Sequence, residues 1–159
     1  MYKTILALAL ALASQIAPAR AQSFHSVEGS WNLAVNITNP PIGTLTSLIT
    51  LIPGGGVVEG RGFYVPQHPA GVLTGSTGHG SWRRARMHEI SVKFVILLQK
   101  APPDLTGAPV AVQTVRLKLT LSHDGKELDG PVDVVAVDLG GNTILHAVGT
   151  VKGTRILVD

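Results

Sequence analysis

The chain contains no cysteine. That excludes a disulfide scaffold, a thiolate metal site, a cysteine nucleophile and a lipid anchor carried on an N-terminal cysteine. Aromatic residues make up only 4% of the chain, which argues against ligand recognition by ring stacking. Charged residues are scarce at 14%, and the collagen-like repeat is absent. No apolar run approaches the ~20 residues that a helix needs to cross a bilayer. There is no G-x-S-x-G elbow and no phosphate-binding loop with its lysine. No stretch beyond the first residues combines a 3.6-residue period with helix caps.

Within these limits, 45% of the 159 residues are hydrophobic, enough for one core of ordinary domain size. Eighteen glycines and ten prolines point to many turns. The first residues have the layout of a secretory signal peptide: Lys3, an apolar run over 5–13, then Ala19-Arg20-Ala21 with small residues at the −3 and −1 positions. The expected organisation is a signal peptide over 1–21 and a single β-barrel domain over 22–159. The expected location is secreted or periplasmic, with no membrane association after cleavage. Loss of Lys3 and Arg20 leaves 11 basic against 10 acidic side chains. A nearly neutral protein gives no electrostatic footprint for nucleic acid, and Arg83-Arg84-x-Arg86 alone reads as a solvated hairpin.

Alternating patterns place strands at 31–37, 44–52, 57–65, 79–84, 89–98, 110–122, 127–138 and 143–151, with a short tail strand over 154–158. Residues 66–78 read as a long loop, the glycine-rich stretch 71–80 as a flexible mouth loop, and 100–108 as a further loop. About eight strands in hairpin sequence predict an all-β fold, an antiparallel up-and-down β-barrel. A β-sandwich is the alternative. Such a barrel is just wide enough to be filled by side chains or to hold one small ligand.

Gly29-Ser30-Trp31 opens the first strand, and Gly153-Thr154-Arg155 follows the last hairpin. With Gly80-x-Trp82-Arg83-Arg84, these blocks make the chain resemble the calycin superfamily, the lipocalin-like small barrels, and in particular secreted bacterial calycin-like proteins. The resemblance implies a structural pair, Trp31 closing the barrel base with Arg155 packed across it. It implies no catalytic residue.

Hairpin register locates the remaining chemistry. A two-residue turn at Asp124-Gly125 sets Arg116 opposite Asp133. A two-residue turn at Gly140-Gly141 sets Val135 opposite His146. Arg116, Asp133 and His146 then share one face of three neighbouring strands. The other face carries Leu117, Leu119, Val134, Ala136 and Leu145, the expected lumen and ligand-binding lining. The trio reads as an exterior charge ladder if the apolar face is the core. Facing the lumen instead, it makes a catalytic candidate in which Arg116 holds Asp133 ionised and Asp133 orients His146 as acid or base. Val135, Val137, Ile144 and Val148 on the same face suggest contact with a second copy. A tight turn at Gly54-Gly55 sets Glu59 and Arg61 on a face with Thr50 and Leu48, the usual place for a surface ion pair. A lumenal polar site is the alternative. The six histidines show no metal-ligand spacing, and neither a metal nor a cofactor is expected.

Three functions fit: a barrel binding a small apolar ligand in its lumen, a barrel isomerase or cyclase using Arg116, Asp133 and His146, and a non-catalytic structural homo-oligomer with a filled core.

Overall fold

A computed structural model describes residues 26–61, 64–68, 71–101 and 107–157. The signal-peptide expectation falls outside them. Ten strands follow in order: β1 (Gly29–Asn39), β2 (Gly43–Leu51), β3 (Gly56–Gly60), β4 (Tyr64–His68), β5 (Gly71–Gly75), β6 (Gly78–Arg84), β7 (Glu89–Lys100), β8 (Pro109–Leu121), β9 (Glu127–Asp138) and β10 (Thr143–Arg155). All pairings are antiparallel.

The ring runs β1–β2–β3–β6–β7–β8–β9–β10 and returns to β1, with β7–β8 completing it. This is a closed, eight-stranded up-and-down barrel, and closure leaves no long sheet edge unpaired. The alternation that suggested strands is the alternation of the wall. In β7 the side chains of Ile90, Val92, Phe94, Ile96 and Leu98 are all buried, while Lys93, Val95 and Leu97 between them are exposed. In β8, Val115, Leu117, Leu119 and Leu121 point inward, with Arg116, Lys118 and Thr120 outside. The closed ring rules out the sandwich.

Three sequence readings change. The strand expected over 57–65 stops at Gly60, and β4 begins at Tyr64. The long loop expected over 66–78 contains the end of β4 and the whole of β5, and the flexible mouth loop expected over 71–80 is β5 and the start of β6. β4 and β5 pair as a hairpin, and β5 continues the line of β6 along the end of β7, with Leu73 opposite Lys100 and Gly75 opposite Leu98. Glycines and prolines disguise these strands, but the backbone of 72–75 still finds partners along the end of β7 and just past it, where Ala101 N donates to Val72 O at 2.9 Å. The tail strand expected from 154 is not separate, because β10 runs unbroken through Arg155.

One end of the barrel is plugged. Trp31 is fully buried, and its indole Nε1 donates to Val27 O at 3.0 Å. The Arg155 guanidinium lies over the ring, 4.3 Å from its centroid. Arg155 also donates from Nε to Gly125 O at 2.7 Å, from Nη1 to Glu28 O at 2.8 Å, and from Nη2 to Ser26 O. One arginine thus ties the entry to β1, the β8–β9 turn and the end of β10 to one indole. The cation keeps its hydrogen bonds while gaining the attraction of the ring face. Leu51, Leu119, Leu121 and Leu128 are buried from the strand ends of the same half.

Candidate functional site

The other half of the barrel is not filled. A cavity of about 120 Å³ lies between the strands, walled mainly by aliphatic side chains from β1, β2, β8, β9 and β10. Leu33, Val35 and Ile37 of β1 descend one wall, Val115 and Leu117 of β8 another, with Val132 and Val134 of β9 and Leu145 and Ala147 of β10 between them. Ile42, in the β1–β2 turn, lies at the mouth and is half exposed. The mouth is therefore at the end opposite Trp31. Leu117, Val134 and Leu145, three of the expected lumen residues, line the cavity. Leu119 and Ala136 are buried but do not line it.

Into this apolar space project four polar side chains: Ser47, Glu59, Arg61 and Gln113. Ser47 lies on β2 opposite Leu33, and Gln113 lies on β8, four strands away around the ring. Glu59 lies on β3 between Ile49 and Gly78, and Arg61 follows the end of that strand. Glu59 is completely buried. Its Oε1 accepts two bonds, from Ser47 Oγ at 2.6 Å and from Arg61 Nε at 2.7 Å. The Arg61 side chain is itself only 10% exposed, so the ion pair is interior. Burial lowers the Arg61 pKa, while the facing carboxylate opposes the shift; a guanidinium stays charged throughout. Among the described residues Glu59 Oε2 has no hydrogen-bond partner. Space for this carboxylate depends on Gly78, where a Cβ would stand 2.9 Å from Glu59 Oε2 and 2.9 Å from the Phe94 ring.

The expected register at the β2–β3 turn was off by one residue. Gly54 and Gly55 both take positive φ, and the turn holds three residues, closed by Ile52 N to Gly56 O at 2.8 Å. Glu59 therefore opposes Ile49, not Thr50. A one-residue slip exchanges the two faces of a strand. It carries Glu59 from the expected surface into the lumen. Ser47 and Gln113 were not singled out from sequence. Each nonetheless shares the parity of an apolar face: Ser47 with Ile49 and Leu51, Gln113 with Val115 and Leu117. A polar residue on the inward parity was the available signal. β2 and β3 part after Leu48 and Gly60. There Leu45, Ser47 and Arg61 also line a second depression, bounded by Asn32, Thr46 and Leu48.

The catalytic candidates Arg116, Asp133 and His146 do come together, in the expected register. Arg116 Nη1 donates to Asp133 Oδ2 at 3.1 Å, and His146 Nε2 lies 2.8 Å from Oδ1. They stand on the outer wall, with side chains 39–61% exposed. The reading that places them in the lumen is thereby corrected. Their apolar neighbours in sequence pack inward, so alternation turns the charges to solvent. Val148, Val95 and Leu97 are exposed on the same outer surface. The hydrogen bond from His146 is the main cause holding the Asp133 carboxyl below the usual carboxylate range, with Arg116 adding to it and partial burial opposing. A depressed folded-state pKa means stability that is present above the ordinary carboxylate range and lost as pH falls through the lowered value. Solvent screening keeps the contribution to about 1 kcal/mol or less. Asp133→Asn should lower stability by up to about 1 kcal/mol at neutral pH and change little below the lowered pKa, which flattens the acid limb of a stability-against-pH curve, as urea titrations at stepped pH would report.

Among the described residues no group of three metal-ligating side chains converges. His88 and His123 lie with ring centroids 5.6 Å apart at the plugged end, and form only a pair.

Comparison with family models, curated proteins and solved structures finds no match.

Proposed function

We propose that the protein is an exported binding barrel that takes a small, mainly apolar molecule into its lumen from the end opposite Trp31. The observation that carries this reading is the cavity of about 120 Å³, lined by aliphatic side chains and continued to a mouth at Ile42. An apolar cavity of ~150 Å³ in a protein core is enough to admit a molecule of benzene size. The ligand is accordingly small, or is the end of a longer chain whose remainder leaves through the mouth. Export is read from the apolar leader, and kinship with the calycins from Trp31 and Arg155. The cavity favours binding over a filled structural core. Binding is also favoured over an isomerase or cyclase working through Arg116, Asp133 and His146, because those side chains lie outside the space a lumenal substrate would occupy.

Ala147 provides the test. It is buried on β10, lines the cavity, and faces it with one methyl group. Ala147→Phe places a ring in the space a ligand would take. Repacking strain should cost about 1–3 kcal/mol. Small apolar probes such as n-hexanol should raise the melting temperature of the wild type and leave that of Ala147→Phe unmoved. Equal effects on the two proteins would contradict lumenal binding.

A further inference from the structure

The lumen carries one charged group whose hydrogen bonding is half complete. An ionised carboxylate has about four acceptor positions shared between two oxygens. Glu59 uses Oε1 for both Ser47 Oγ and Arg61 Nε, while Oε2 has no partner among the described residues. Leaving a buried acceptor unsatisfied is costly, so native interiors rarely do it without a reason. Position 78, directly opposite Glu59, is a glycine. A Cβ there would stand 2.9 Å from Oε2 and 2.9 Å from the Phe94 ring, so no serine or threonine fits at 78 to supply a hydroxyl. The facing strand therefore gives the orphan oxygen no side-chain donor, and the carboxylate lines the cavity.

Charge decides what kind of group fits. Glu59 and Arg61 form a pair of zero net charge in a site with few other polar atoms. A ligand cation would leave the lumen with an excess positive charge, and a ligand anion would face the Glu59 carboxylate. Either costs desolvation without a matching counter-charge. A neutral donor satisfies Oε2 and leaves the balance untouched. We infer that the lumen selects a neutral, mainly apolar molecule with a hydrogen-bond donor, a hydroxyl or amide N–H, at the end that meets Glu59 Oε2. Donor and carboxylate then form a charge-assisted hydrogen bond, shorter and stronger than a neutral pair. The aliphatic residues of β8, β9 and β10 cover the remainder of the molecule, and Gln113 offers a second polar contact from across the lumen. This selectivity rests on the lumenal binding proposed above, and it specifies the chemistry of the occupant.

The experiment is a set of calorimetric titrations on the full folded protein. The probes have matched size: n-hexanol, methyl pentyl ether, heptane, hexylammonium and hexanoate. n-Hexanol should bind about tenfold or more tightly than the ether, which accepts but does not donate, and more tightly than either ion. Glu59→Gln keeps a carbonyl oxygen for Ser47 and Arg61 and turns an amide N–H₂ toward the ligand. In that variant the preference for the alcohol over the ether should fall to about one. If Glu59→Gln does not fold, the ratios on the wild type decide alone. Neutral probes that bind by apolar size, with no advantage for the alcohol, would overturn the donor selectivity and leave lumenal binding standing. Tighter binding of hexylammonium or hexanoate would overturn neutrality. No binding of any probe would overturn both this inference and the function it rests on.

Discussion

Trp31→Ala is expected to destabilise the barrel by about 3–5 kcal/mol, the range for deleting a large buried aromatic side chain. Trp31 sits at the upper end of that range for a structural reason. The indole is fully buried, fills the plugged end, and donates to Val27 O. It is also the surface on which Arg155 rests, and Arg155 holds Ser26, Glu28 and Gly125 in place. Losing the ring opens a cavity and loosens those three attachments together. Trp31→Phe should recover part of the packing while losing the Nε1 bond, and so fall between the two. Urea unfolding of the three proteins measures this directly. A loss below about 1 kcal/mol for the alanine variant would mean that the plug does not hold the barrel closed.

The second large effect is expected at the seam where the last strand meets the first. Gly149 on β10 opposes Ile37 on β1. A Cβ at Gly149 would stand 2.0 Å from Asn36 O and 2.9 Å from the Ile37 Cα. Both are backbone atoms, so no side-chain rotation relieves the clash. Beyond this point the β1–β10 register shifts, between Ile37 and Asn39. Gly149→Val should therefore break the pairing at the open end and cost about 4 kcal/mol or more, a magnitude reserved for strain or lost core packing. Thr150→Val is the control. Thr150 is exposed and a β-branched residue already stands there, so its stability should change by less than about 0.5 kcal/mol. Equal tolerance of the two substitutions would show that the ends of the chain do not pair as closely as the closed ring requires.

The barrel was legible because its longest strands alternate without ambiguity. From β7 to β10 the inward positions are almost uniformly aliphatic, so the face of each strand is plain from its pattern. Arg116 opposes Asp133, the register that a turn centred on Asp124-Gly125 implies. Val135 opposes His146 although the β9–β10 loop holds three residues rather than two, because the register shifts between Thr143 and Leu145 and restores the pairing. The same logic failed at Pro53-Gly54-Gly55-Gly56, where three consecutive glycines leave the loop length undetermined. Val57 and Val58 are both apolar, so the pattern of β3 did not correct the count. That single residue of slip decides whether Glu59 meets water or the lumen. The mouth was obscured for a different reason. The residues of β5 are mostly glycine-flanked and short, and they become a strand only because the end of β7 offers partners. Such pairing is tertiary and leaves no period in the sequence.

The site follows from these two facts. A long, regular half of the barrel supplies an apolar wall, and a short, glycine-rich half supplies the buried ion pair. Ser47 and Arg61 hold one oxygen of Glu59, and Gly78 leaves the other clear. The exterior trio of Arg116, Asp133 and His146 has the residue types of a catalytic site, yet it stands in solvent with its charges mutually satisfied. Its composition alone suggested chemistry, whereas its exposure assigns it to the surface.

The most direct measurement is a methyl-resolved NMR titration of the protein with n-hexanol. Binding in the lumen should shift the methyl signals of Leu33, Val115, Leu117, Val134 and Ala147, which line the cavity. The methyls of Val95 and Leu97 on the outer wall should stay where they are. Shifts confined to Val95, Leu97 and their outer neighbours, or no saturable shift at any lumenal methyl, would contradict a ligand-binding lumen.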